Sequence, residues 1–124
     1  MLVVSGIVMR KGRVLLLQRS ALMSQSGKWE FPAFEVTEDE TMEDCLERNI
    51  FDCLSVQVIG AETCGALPMV KLPFVRFFLY RVEIRGNVKL CAAYSRCKWL
   101  KIKELWRFRL SLAGVTAING LQKL

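Results

Sequence analysis

The sequence predicts an α/β (α+β) fold, a mixed sheet with helices packed on it, and three observations carry that prediction. Two runs rich in Val, Ile and Leu, Leu2–Met9 and Arg13–Gln18, flank Arg10-Lys11-Gly12. An apolar stripe at three-four spacing follows at Met42, Cys45, Leu46, Ile50, Cys53 and Leu54. The most strand-like stretch, Phe74–Glu83 (FVRFFLYRVE), comes after that stripe, so strands lie on both sides of a helix.

Taken in order, the first two runs read as a hairpin with Gly12 in the turn. Lys28–Phe31 is a short extended piece that Pro32 ends. Thr41 is a helix N-cap with Asp44 three residues on, so the helix spans Met42–Leu54. Ser55–Gly60 and Gly65–Met69 read as two strand pieces around a bend. Phe74–Glu83 is the strongest strand and Cys97–Ile102 a last short one. Lys103–Phe108 starts a short helix and Leu112–Leu121 forms a terminal one.

At 124 residues the chain is one domain, 1–124, with an ordinary composition of 52 % apolar and 24 % charged residues. No run approaches the roughly 18 apolar residues of a membrane helix, so no membrane partner is expected. Leu2–Met9 is short, lacks preceding basic residues and is followed by Arg10-Lys11, which reads as a strand and not an export signal. The expected location is therefore cytoplasmic. The five cysteines, Cys45, Cys53, Cys64, Cys91 and Cys97, form no Cys-x-x-Cys pair, and reduced, mostly buried thiols are expected. Histidine is absent, which excludes His-based nucleophilic catalysis and argues against a Cys/His zinc site.

The net charge of +6 is unevenly spread. Nine of the twelve acids lie between Glu30 and Asp52, whereas twelve Lys/Arg and only two acids follow from Lys71 onward. Such a chain can set a cation-attracting wall against a phosphate-attracting one.

The stretch from Gly27 to Val56 carries the chemistry. Gly27-Lys28-Trp29-Glu30-Phe31-Pro32 leads into an acidic loop and then the Met42–Leu54 helix. Together with Leu15-Leu16-Leu17-Gln18-Arg19-Ser20, Trp99-Leu100 and the closing LSLAGVTAINGL, this chain resembles the Nudix hydrolases of the small MutT-like type over nearly its full length. The resemblance implies an α/β/α sandwich with a central mixed sheet. The family's box, Gly-x5-Glu-x7-Arg-Glu-aliphatic-x-Glu-Glu-x-Gly-aliphatic, lands without a gap on Phe34, Glu40, Arg48, Asn49, Ile50, Asp52, Cys53, Ser55 and Val56.

Hydrolysis of a nucleoside diphosphate linkage needs a divalent cation to neutralise phosphate and activate water. Acids at i, i+3 and i+4 of one helix converge on such an ion. Here those positions are Asn49, Asp52 and Cys53, leaving one carboxylate, and a neutral thiol suits a hard cation poorly. Phe34 replaces a box glycine, Ala93 stands where relatives carry a loop acid, and Gly114 stands where they often carry a base-reading Asn or Asp.

The resemblance further implies that Arg19 and Arg76 meet phosphate, that Glu30 and Phe31 wall the pocket, and that Arg48 pairs with an acid such as Glu40. The expected function is a Nudix-fold protein similar to MutT-like nucleoside triphosphate pyrophosphohydrolases, with weak or lost metal-dependent hydrolysis and retained nucleotide binding. The alternative is an active hydrolase that uses Mg²⁺ or Mn²⁺, with Glu40, Arg48 and Asp52 catalytic and Asp52, Glu40 and Glu35 on the metal. A third reading is a single-strand nucleic-acid module in the basic half, with Phe77, Phe78, Tyr80, Tyr94, Trp99 and Trp106 interleaved. The expected partner is a nucleotide or another phosphorylated small molecule, not nucleic acid, and the expected state is a monomer or homodimer.

Overall fold

In the computed structural model, which describes residues 1–69 and 71–121, strands β1 (Leu2–Arg10) and β2 (Arg13–Arg19) make the expected hairpin. Lys11 and Gly12 take φ of 51° and 76°. A two-residue turn that matches strand twist needs positive φ at both positions, which is why glycine stands there. Only Met9–Val14 and Arg10–Arg13 join the two strands, and beyond these pairs they diverge.

Each strand then recruits its own partners. β1 pairs in parallel with β6 (Arg76–Arg85) and antiparallel with β4 (Ala33–Glu35). β2 pairs antiparallel with β3 (Trp29–Glu30) and β7 (Tyr94–Leu100), and β5 (Gln57–Pro68) lines the outer side of β6. The result is a single mixed sheet of seven strands.

Helix α1 (Met42–Leu54) covers one face, burying Cys45, Leu46, Ile50 and Leu54 against Val4, Val8, Leu15, Leu17, Tyr80 and Val82. Helix α2 (Leu112–Leu121) and a 3₁₀ segment, Ile102–Arg107, cover the other, against Ile7, Val14, Leu16, Phe77 and Leu79. This is the expected α/β/α sandwich. It explains the unbroken Val14-Leu15-Leu16-Leu17 run, since a strand buried on both faces needs apolar residues at every position. No helix of the described residues is long and apolar enough to cross a membrane.

The structure corrects several element boundaries. The segment read as Lys28–Phe31 pairs only at Trp29–Glu30, and the chain resumes as β4 after Pro32. Proline lacks a donor, so its carbonyl alone is used: it accepts from Gly6 N (2.9 Å) and Ser5 Oγ (2.8 Å) while the chain crosses from the edge of β2 to that of β1. The Ser55–Gly60 and Gly65–Met69 pieces are one edge strand, Gln57–Pro68. Its polar middle keeps pairing with β6 through two register shifts, as bulged edges do. β6 begins two residues later than expected because Phe74 stands in a turn, 68 % exposed. β7 begins earlier, at Tyr94, and Ile102 belongs to the 3₁₀ segment. Four of the five free thiols are only half-buried, and Cys45 alone is fully buried.

α1 is capped as read, with Thr41 Oγ1 accepting from Asp44 N (3.0 Å). At its other end Ser55 is left-handed, φ 59° and ψ 33°, with its N–H on Phe51 O. A glycine there avoids the Cβ clash. Ser55→Gly is expected to stabilise the fold by ~0.5–1 kcal/mol in chemical denaturation.

Candidate functional site

The site residues fall into two groups joined by one tyrosine. The first is the outer part of α1. Arg48 and Asp52 are exposed, and Asn49 and Cys53 are half-buried at the helix's flank. The loop before the helix folds back so that Glu40 meets Arg48, with guanidinium Nη2 2.9 and 3.1 Å from the two carboxylate oxygens. Glu40 also accepts from Thr37 N at 3.1 Å. That backbone N–H and the Arg48 guanidinium hold its carboxyl at about 2, well below the ordinary value.

Asn49 Nδ2 donates to Cys45 O at 2.8 Å and to Cys45 Sγ at 3.4 Å, bonding back onto its own helix. Burial pushes the Cys45 thiol up to about 11, helped by the Glu40 carboxylate beside it. Burial, the neighbouring Cys91 thiol and the Asp52 charge push Cys53 up to about 12. Both are neutral thiols at physiological pH, so neither replaces a carboxylate.

The second group is a buried polar knot. Glu30 on β3 is 1 % exposed, with Arg19 Nη1 donating to it at 2.9 Å, Ser111 Oγ at 2.6 Å and Tyr94 Oη at 3.3 Å. Arg19 is further held by Ser24, whose carbonyl accepts from Nε at 2.6 Å. Tyr94 lies between the two groups: burial first, then the Glu30 charge, raise its hydroxyl's pKa. The loop before β7 is stitched to the same place, with Ser20 N donating to Ala93 O (2.8 Å) and Cys91 N to Cys53 O (2.9 Å).

Other expected positions take different roles. Phe31 is sealed in the core on the α2 side, 1 % exposed. Phe34 pairs with Val4 in β4 and packs toward α1, so the substituted glycine position has become ordinary strand. Glu35 is exposed at the end of β4. Arg76 begins β6, exposed, with its guanidinium 5.5 Å from the Phe78 ring centre. Gly114 lies in the first turn of α2, where an added Cβ would meet Trp29 O at 2.7 Å; close packing explains the missing side chain.

Sequence reasoning missed Ser111 and the structural use of Tyr94. Ser111 precedes a helical run and caps it, its Oγ accepting from Gly114 N at 3.1 Å, and a serine at that position is a readable signal. Tyr94 carries no comparable local signal, because its burial depends on β2 and α1 arriving beside it.

A strand, an acidic loop and a helix whose arginine reaches back to the loop glutamate make a family arrangement, and the comparison decides it: the NUDIX domain family profile matches residues 1–117. The chain belongs to the Nudix family. It is 37 % identical over 123 residues to a CTP pyrophosphohydrolase of Escherichia coli (strain K12), covering 98 % of this chain and 91 % of that one. Its fold is similar to a MutT NUDIX hydrolase from Burkholderia pseudomallei, with TM-score 0.83, 18 % identity and 97 % and 96 % of the two chains covered. It is also similar to the NUDIX domain of Shewanella oneidensis NrtR complexed with ADP ribose, with TM-score 0.78, 19 % identity and 99 % and 86 % covered.

A Nudix box implies a divalent cation, but the donor groups here do not fit one. Among the described residues, no three Cys, Asp or Glu side chains converge as metal ligands. Glu40 is spent on Arg48 and Thr37, the Asn49 amide is turned onto its helix, and Asp52 stands exposed among neutral neighbours and Arg48. Asp52, Glu40 and Glu35 therefore do not form a preassembled ligand set.

Two outcomes are expected. Removing the Glu30 charge by Glu30→Gln leaves Arg19 half-satisfied and costs ~3 kcal/mol in urea unfolding. The Glu40 carboxyl lies near 2 in the fold against an ordinary 4.5. Its bonds therefore stabilise the protein above pH 4.5, and that contribution is lost as pH falls toward 2. Melting temperatures across this window should fall less steeply in Glu40→Gln than in the wild type.

Proposed function

We propose that this Nudix protein binds a nucleotide at the α1 face and hydrolyses it weakly or not at all. The observation that carries the proposal is the fate of the box carboxylates. Of three helix positions one, Asp52, is acidic, and the loop glutamate is locked to Arg48. A cation held by a single exposed carboxylate is bound loosely, since oxygen-ligand sites gain affinity from the number of charged donors.

Nucleotide contact falls to Arg76 in this reading. It is in no ion pair among the described residues and stands two positions along β6 from Phe78, on the strand face that α1 covers further on. Arg19 is given a supporting role, because its guanidinium already serves Glu30 and Ser24. In this reading the protein works in the cytoplasm as a monomer or homodimer.

A second reading rests on the Escherichia coli relative, whose activity is CTP pyrophosphohydrolysis. It gives this chain cleavage of a nucleoside triphosphate to the monophosphate and pyrophosphate with Mg²⁺ or Mn²⁺, and makes Asp52 indispensable.

Pyrophosphate release from a panel of nucleoside triphosphates separates the two. The proposal expects little or no turnover in the wild type, and Mg²⁺ affinity raised about tenfold or more in Asn49→Glu/Cys53→Glu. Wild-type turnover that Asp52→Ala abolishes would establish the hydrolase. An unchanged Mg²⁺ affinity in the double variant would remove the box from any metal-based account.

A further inference from the structure

Beside the start of β2 and the 3₁₀ segment there is a hollow of about 570 Å³ lined by Arg13, Lys101, Lys103, Glu104, Trp106 and Arg107. Its position follows from strand register. β2 runs from Arg13 to Arg19, and β7 runs back beside it, Tyr94 opposite Arg19 and Leu100 opposite Val14. Six residues of strand put the hollow ~20 Å from the Arg19–Glu30 knot. None of the lining residues belongs to the Nudix box.

Four cations face one acid there, and that acid is already engaged. Glu104 Oε1 accepts from Lys101 N at 2.9 Å and stands 4.0 Å from Arg13 Nη1. Its pKa is lowered, first by the Lys101 backbone N–H and then by Arg107, Arg13 and Lys101. Among the described residues Lys101, Lys103 and Arg107 are in no ion pair. Clustered cations without acids are mutually repulsive, and an anion relieves that repulsion.

The rim supplies a second and independent feature. Trp106 is 76 % exposed, and the Arg107 guanidinium lies 5.6 Å from its ring centre. Of the aromatic residues interleaved with the basic half, Phe77, Tyr80 and Tyr94 are core, whereas Trp106 presents its ring to solvent. An exposed indole beside phosphate-binding cations suits a ligand that has both an aromatic face and phosphate. Phosphate alone would leave the indole unused, and an apolar ligand would leave four cations unneutralised.

We infer that this hollow is a second anion site that takes a nucleotide unit, its base stacked on Trp106 and its phosphate held by Arg13, Lys101, Lys103 and Arg107. A free nucleotide and a single-stranded nucleic acid present the same unit, so the source is settled by measurement.

The experiment titrates full-length protein with ATP in one arm and a fluorescein-labelled single-stranded 10-mer in the other, at low and at physiological salt. Calorimetry reads the first arm and anisotropy the second. Trp106→Ala and Lys101→Glu/Lys103→Glu are each expected to weaken the active arm about tenfold, with affinity falling as salt rises. Circular dichroism controls for folding, and Arg107→Glu provides an independent variant. An Arg76→Glu control, which removes the cation assigned to the α1 face, is expected to leave this binding unchanged, which separates it from binding at that face. Response in the ATP arm alone assigns a free nucleotide, and response in the oligonucleotide arm a single strand. Silence in both arms, or binding indifferent to all three substitutions or to salt, overturns the inference.

Discussion

The structure depends first on one buried carboxylate. Glu30 lies where β2, β3, β7 and α2 meet, and each of the other three elements sends it a donor: Arg19, Tyr94 and Ser111. An unpaired charge at that depth costs several kcal/mol, so the alignment of these elements is tied to keeping all three donors in reach. The backbone reinforces the same junction. Trp29 N donates to Arg109 O (2.7 Å) and Ser111 N to Trp29 O (2.9 Å), sewing the start of α2 along β3. Gly114 then allows the helix to close on that strand. Arg19, fixed by Glu30 on one side and Ser24 on the other, sets the path of the loop between β2 and β3.

The box helix owes its position to residues other than the ligand positions of the box. α1 is held by Cys45, Leu46, Ile50 and Leu54 against the sheet, and by the Thr41 cap, none of which is a metal position. The ligand positions lie on the helix flank, outside its fully buried stripe. Asn49 and Cys53 are tolerated there because each finds local partners, Asn49 in Cys45 O and Cys53 in Cys91. The Arg48–Glu40 pair survives for a different reason: it fastens the acidic loop to the helix. That tie is geometric, and it holds the loop in place with or without a cation.

What was legible in the sequence follows from the same distinction. α1, its cap, the β1–β2 hairpin and the sandwich are written in local periodicity and turn chemistry, which act within a few residues. The Arg48–Glu40 pair was legible because the box spacing brings the two together. β4 was not, because Pro32 signals an end and only the separation of β1 from β2 gives the next residues a partner. The continuity of β5 was hidden by Ala61-Glu62-Thr63-Cys64, polar because that edge is exposed. Glu30 was read as a pocket-wall residue, and its place at the centre of a buried knot was hidden, since its partners arrive from positions as distant as Ser111.

The charge pattern read from the sequence acquires a geometry that constrains function. Glu30 and Glu40 are neutralised by arginines, but Glu35, Glu38, Asp39, Glu43, Asp44, Glu47 and Asp52 remain exposed around α1. A phosphate approaching that face meets repulsion, which a tightly held cation would cancel and which this ligand set does not. The cations beside Arg13 line a hollow that shares no residue with the box. In the proposed reading, affinity at the α1 face comes from Arg76, from short-range contacts, and from any cation the nucleotide brings with it. The hollow beside Arg13 differs in kind: four cations face a single acid there, next to an exposed indole. In the proposed reading, a helix with one carboxylate at three box positions favours holding phosphate over cleaving it.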